Sequence, residues 1–184
     1  SIREQQGMTL RVALGNKPKF GGWHTKQIVI ESPILNKTYF EKLCYQKEVK
    51  VNPFEMTFKP VLKDNEKTKQ SLVSSINRLS EDVCAFAKRS GGIALLSDLA
   101  ISKECAPIPM ILAVSAVNQA LIDNGLRMNV SLVLETGQVS SSHHVACALG
   151  FGASAIYPFS VEIRSKEKFA SDAEGAFSKF AKAT

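Results

Sequence analysis

The feature that most constrains this chain is a series of short, largely apolar runs in its middle, Ile93–Leu96, Val130–Leu134 and Ala153–Tyr157. Runs this short that lack polar alternation mark strands covered on both faces, which is the environment of a parallel sheet. The intervening segments carry helical signals. Leu72, Ile76, Leu79, Val83 and Phe86 recur at three- and four-residue steps, Lys88-Arg89 suit the carboxyl end of a helix dipole, and Gly91-Gly92 ends the helix. Pro107 and Pro109 open the next helix, which runs through Val114, Val117 and Leu121 until Asn124-Gly125 stops it. Ser141 to Leu149 forms a third, closed by Gly150. Upstream, Phe54, Met56 and Phe58 alternate with Glu55, Thr57 and Lys59, which predicts a strand with one buried face, followed by a polar, lysine-rich loop to about Lys69.

The order strand–helix repeated three times and closed by a strand defines an α/β fold, a parallel sheet with right-handed βαβ crossovers. Four such strands fit either an open doubly wound sheet or about half of a (β/α) barrel, and local pattern does not choose between them.

The flanks are less regular. Residues 1–51 show turn signals at Gly15-Asn16, Gly21-Gly22 and Ser32-Pro33 and no repeating period, so they are expected to wrap over the core formed by 52–184. One helix is predicted there, Lys37 to Tyr45, with Thr38 as its cap. Pro158 stops the last strand. From Val161 the chain is charged and ends in a helix with a capping-box pattern, Ser171-Asp172-Ala173-Glu174, and an apolar stripe of Ala173, Ala176, Phe177 and Phe180. The abrupt start at Ser1 and the end on a helix are expected to be boundaries within a longer polypeptide.

Charge and cysteine usage narrow the function classes. Ser1 to Gln70 holds 13 Lys and Arg against 7 Asp and Glu, an excess of six that equals the net charge of +6 of the whole chain. These lysines are scattered among apolar and turn residues, whereas nucleic-acid grooves interleave basic residues with exposed aromatics along one surface. No nucleic-acid partner is expected. Cys44, Cys84, Cys105 and Cys147 form no Cys-x-x-Cys pair and have no His at zinc-finger spacing, so they read as reduced thiols without a metal. No apolar run approaches the roughly 20 residues of a membrane span, and no basic-then-apolar leader opens the chain. A cytoplasmic chain with no membrane partner is expected.

In parallel α/β folds functional groups gather at the carboxyl ends of strands. Those ends carry Ser97-Asp98, Glu135-Thr136-Gly137 and Tyr157-Pro158. Asp98 and Glu135 are candidates for an acid–base pair or a cation site, the alternative being that they cap helices or bind loop amides. His143 and His144 are adjacent on a helix and point about 100° apart, so they do not readily share a metal. One is expected to pack inward and the other to face a loop or partner. Gly150-Phe151-Gly152 lacks the third glycine of a dinucleotide fingerprint and follows a helix, and Ser140 to Ser142 carry no nucleophile elbow.

Taken in order, Ser97-Asp98, Ala106-Pro107-Ile108-Pro109, Glu135-Thr136-Gly137, His143-His144 and Gly150 to Ala153 resemble the central domain of the glutamate synthase large subunit. Ile2-Arg3-Glu4, Met8-Thr9-Leu10 and Ser32-Pro33-Ile34-Leu35 are further landmarks in the same order, so the resemblance covers nearly the whole chain. Two departures stand out. Ser140-Ser141-Ser142 replaces the family's Arg-Glu-Val before the histidine pair, and Tyr157-Pro158-Phe159 replaces Asn-Pro-Tyr after the last strand.

The resemblance implies an incomplete relative of a (β/α) barrel that carries no catalytic residue and no cofactor of its own. Its last helix would lie at the boundary to the FMN-binding domain. In the whole enzyme an amidotransferase domain releases ammonia from glutamine at an N-terminal cysteine, and a tunnel conveys it to 2-oxoglutarate. FMN, reduced through an iron–sulfur cluster, then converts 2-iminoglutarate to glutamate. The implied partners are the amidotransferase and FMN-binding domains of the same polypeptide, and residues from Met8 to Gly15 are candidates for the tunnel side. The competing reading is a free-standing α/β enzyme built on Asp98, Glu135 and one of the histidines, which needs a ligand-sized pocket at those strand ends.

Overall fold

The computed structural model describes residues 9–18 and 26–183. In chain order it forms β1 (Val12–Gly15), β2 (Gln27–Ile30), α1 (Lys37–Tyr45), β3 (Val51–Glu55), β4 (Thr57–Phe58), α2 (Asn65–Arg89), β5 (Gly92–Ser97) and β6 (Ala106–Pro107). There follow α3 (Met110–Asp123), a 3-10 turn at Arg127–Asn129, β7 (Val130–Glu135), α4 (Ser142–Gly150), β8 (Ala155–Tyr157), α5 (Phe159–Lys168) and α6 (Ala173–Lys182).

The central sheet has the order β3-β5-β7-β8, with every pair parallel. Because side chains alternate across a strand, each strand feeds two separate cores. Ala94, Leu96, Leu132, Leu134 and Ile156 join a cluster with Val83 and Phe86 of α2, Val114 and Val117 of α3, and Val145 of α4. Ile93, Leu95, Val133, Ala155 and Tyr157 join the other, with Leu14 of β1, Leu35, and Phe40 and Leu43 of α1. All three crossover helices thus lie on one face, and spatial strand order follows chain order. A doubly wound sheet would reverse its order and carry crossover helices on both faces. The winding is that of an incomplete (β/α) barrel, and among the described residues the sheet does not close.

Both sheet edges are blunted. Beside β8, Ile34 bridges Ile156 in parallel, with the Ile156 amide donating to the Pro33 carbonyl at 2.7 Å and the Leu35 amide to the Ile156 carbonyl at 2.8 Å. On the other edge β3 contains Pro53, which is tolerated in an edge strand.

Several boundaries differ from the sequence reading, each for a physical reason. The polar stretch before Lys69 is not all loop. Helix α2 begins at Asn65, where the Asp64 carboxylate accepts the Lys67 amide at 3.0 Å, and its first turns are mostly exposed, so they carry no apolar stripe to read. The alternating strand divides at Met56, which is fully buried, and Phe54, Met56 and Phe58 all pack toward the helical core. Pro107 lies in β6 rather than in a helix, and Pro109 is the residue before α3. Asn36, not Thr38, caps α1, and Asp172, not Ser171, caps α6. In the wrapping segment β1 and β2 form an antiparallel hairpin of strands too short to show a period. Helix α5 escaped notice because, of its ten residues, only Ser165 is buried. Ile2-Arg3-Glu4, Met8 and Gly21-Gly22 lie outside the described residues.

Candidate functional site at the carboxyl ends of the strands

Asp98 follows β5 and has no exposed surface. Its Oδ2 accepts hydrogen bonds from Thr136 Oγ1 at 2.6 Å and Gln138 Nε2 at 2.9 Å, and its Oδ1 accepts the Gly137 amide at 3.0 Å. Gln138 extends the network, donating to the Ile108 carbonyl at 2.9 Å and accepting the Met110 amide at 3.0 Å, where α3 begins. Asp98 therefore ties the loop after β7 to the start of α3. Of the two strand-end carboxylates, Asp98 alone accepts a loop amide, that of Gly137.

Glu135 ends β7 in a different environment. It lies opposite Ser97 in the β5–β7 register, and Ser97 Oγ donates to its Oε2 at 2.7 Å. Burial pushes its carboxyl above the ordinary carboxylate value, the Ser97 bond partly offsets this, and the charge of Asp98 adds to it. Glu135 lines a cavity of about 460 Å³ with Phe40, Cys44, Tyr157, Phe159 and Glu162. Phe40 and Tyr157 form a stacked wall with ring centroids 4.4 Å apart. Burial, then the neighbouring Glu135 and Glu41, push the Cys44 thiol up to about 11. Burial and the carboxylates of Glu162, Glu135 and Glu41 push the Tyr157 hydroxyl up as well. A second, larger cleft of about 870 Å³ lies between β2, the start of α1, and α6.

The two carboxylates that the sequence places at neighbouring strand ends are thus separated in function: Asp98 is enclosed by the 136–138 loop and only Glu135 meets a cavity. The histidines stand apart from both. His143 is exposed on α4 with Nε2 3.5 Å from Cys147 Sγ, His144 receives the Ser140 amide on Nδ1 at 3.3 Å, and the rings lie 6.3 Å apart. Neither lines the cavity beside Glu135. The departures from the family pattern have local roles. Ser141 caps α4 through the His144 amide, while Tyr157 and Phe159 pack on the second core.

Ser97, Gln138, Cys44 and Phe40 were not anticipated as site residues. Only Ser97 had a signal, since a polar residue at the end of an apolar parallel strand faces its register partner. Gln138 sits in a loop, and α1 gives no hint of what it covers. The four cysteines are unpaired thiols, and among the described residues no group of three or more His, Cys, Asp or Glu side chains comes together. The donor set of an iron–sulfur cluster is therefore not assembled there. No helix among the described residues is long and apolar enough to cross a membrane.

Four parallel strands in chain order, helices on one face, and the opposite face filled by the chain's own hairpin and α1 define a partial-barrel α/β domain. The glutamate synthase central domain family matches residues 1–184, and the chain belongs to that family. It is similar to the ferredoxin-dependent glutamate synthase of Spinacia oleracea chloroplasts, with 36% identity over 165 residues, or 86% of this chain. A ferredoxin-dependent glutamate synthase of Cyanidium caldarium shares 35% identity over 162 residues. The glutamate synthase (NADPH) large chain of Bacillus subtilis (strain 168) shares 30% over 164. The chain spans about a tenth of the length of these relatives, 10% in each case.

Proposed function

We propose that this chain is the non-catalytic central domain of a cytoplasmic glutamate synthase. It holds the glutaminase and FMN-binding domains in register, so that ammonia freed from glutamine reaches 2-oxoglutarate without escaping. The observation that carries this reading is the filled inner face of the sheet. Where a working barrel would open to a cofactor, Leu14, Leu35, Phe40 and Leu43 pack against Ile93, Leu95 and Val133. The hairpin is pinned there by reciprocal bonds, Gly15 N to Ser131 Oγ at 3.0 Å and Ser131 Oγ to the Gly15 carbonyl at 3.1 Å. A second support is Asp98, whose oxygens are taken up by the 136–138 loop after β7. Residues 1–51 then act as a wrapping segment and 52–184 as the parallel core that leads toward the FMN-binding domain. Rigidity is the physical contribution, because coupling two reactions depends on holding their sites in fixed relation.

The test uses the full-length polypeptide. Leu14→Ala removes a fully buried side chain that fixes the hairpin to the sheet. Glutamine hydrolysed per glutamate formed should rise above its wild-type ratio while the hydrolysis rate itself persists. An unchanged ratio, with hydrogen exchange showing the hairpin loosened, would remove the proposal. The free-standing enzyme reading draws support from the cavity at Glu135 alone. It requires the 184-residue chain to turn over a substrate and Glu135→Gln to abolish that turnover.

A further inference from the structure

We propose that the cavity beside Glu135 binds a small organic cation, an amine carried on a flat apolar body. The first argument is charge. Three carboxylates line the cavity, Glu41, Glu135 and Glu162, against two ammonium groups, Lys37 and Lys166. Lys166 pairs with Glu162 at 2.8 Å and Lys37 with Glu41 at 3.7 Å. Glu135 remains, 8% exposed, with Ser97 as its donor on Oε2. Among the described residues no fully buried side-chain oxygen lacks a partner, so Oε1 is reached from the cavity. A buried carboxylate with a free oxygen favours a ligand that brings both positive charge and N–H donors.

The walls supply the second argument. The stacked Phe40–Tyr157 pair, with Phe159, Leu99 and Ile163 around the mouth, offers aromatic and aliphatic surface rather than the polar cage a metal ion or a bare ammonium ion needs. Aromatic faces attract cations and exclude water from the contact. A volume of about 460 Å³ falls in the range of small-molecule pockets, and once the two ion pairs are set aside Glu135 is the charge left uncompensated beside the aromatic and aliphatic walls. The site is independent of the scaffold reading, since a non-catalytic domain can carry a ligand site.

The probe is 4-fluorobenzylamine, followed by fluorine NMR line broadening on the full-length polypeptide, with 4-fluorobenzyl alcohol as the neutral isostere. Glu135→Gln keeps an acceptor for Ser97 and removes the charge, and Leu99→Trp fills the mouth from an exposed position. The amine should bind wild type roughly tenfold or more tightly than either variant, and by a similar factor more tightly than the alcohol. Equal binding of amine and alcohol, or no loss in either variant, would overturn the proposal. If Glu135→Gln does not fold, Leu99→Trp and the alcohol comparison still decide. Ammonium chloride is the remaining arm: displacement of the amine by equimolar ammonium would show that the aromatic walls contribute nothing, which also overturns it.

Discussion

Replacement of Asp98 by alanine separates an anchor from a catalyst. The side chain is fully buried and accepts three hydrogen bonds, from Thr136 Oγ1, the Gly137 amide and Gln138 Nε2. A bond to a charged acceptor contributes about 1.5–3 kcal/mol net. Three bonds to one carboxylate are coupled and do not add, so the loss expected is that of breaking a buried charged network, about 3–5 kcal/mol. For a domain of this size that corresponds to a fall of about 6–20 °C in Tm. Asp98→Asn keeps an acceptor for the Gly137 amide but turns an amide donor toward Gln138, so a smaller loss of about 1–2 kcal/mol is expected. Urea denaturation of the 184-residue chain reads both, as a shift in midpoint with an unchanged slope. A loss below about 1 kcal/mol for Asp98→Ala would refute the anchor role, and intact stability with lost synthase activity in the full-length polypeptide would point instead to chemistry.

Further outcomes follow from the same physics. Gly92 opens β5 with φ +119, and a Cβ there would meet the Lys50 carbonyl; Gly92→Ala should therefore lower stability by about 2 kcal/mol or more in the same denaturation assay. Arg127 donates to Asn118 Oδ1 and to the carbonyls of Val130 and Gly152. Lysine cannot reproduce that planar fork, so Arg127→Lys should cost about 1–2 kcal/mol, and no loss would show the fork to be idle. The carboxyl of Glu135 is held above its ordinary value, chiefly by burial, so the folded chain binds its proton more tightly than the unfolded chain. Its contribution favours folding below the unfolded value and is lost as pH rises through the folded one. Glu135→Gln should thus gain stability relative to wild type as pH rises above the ordinary carboxylate value of about 4, and a difference that is flat with pH would contradict the assignment. With its thiol raised to about 11, Cys44 should react with iodoacetamide at pH 8 roughly ten- to a hundredfold more slowly than a free thiol. A variant with the other three cysteines replaced by serine measures this.

The core elements were legible because burial on both faces leaves a mark in the residues themselves. Ile93–Leu96 and Val130–Leu134 are largely apolar, short and bounded by turn residues, which favours strands covered on both faces over helices, and the stripe from Leu72 to Phe86 fixes the inner side of α2. The choice between barrel arc and doubly wound sheet was not legible from local pattern, since it depends on which face each helix returns to, a property of tertiary packing. The hairpin was missed because four-residue strands hold only two side chains per face. At the strand ends, the sequence located two carboxylates but could not say which way each would point. The two residues that decide this are Gln138, which encloses Asp98 from a loop, and Phe40, which walls the space in front of Glu135 from a helix far earlier in the chain.

The claim that the inner face of this arc is filled by its own side chains is tested most directly by titrating FMN into the purified 184-residue chain while following flavin fluorescence. Leu14, Leu35 and Leu43 occupy the middle of that face, and the cavity at its rim presents Glu41, Glu135 and Glu162, which oppose a phosphate, so the fluorescence should stay that of free flavin, with no saturation at any stoichiometry. A saturable one-to-one yellow complex would contradict it.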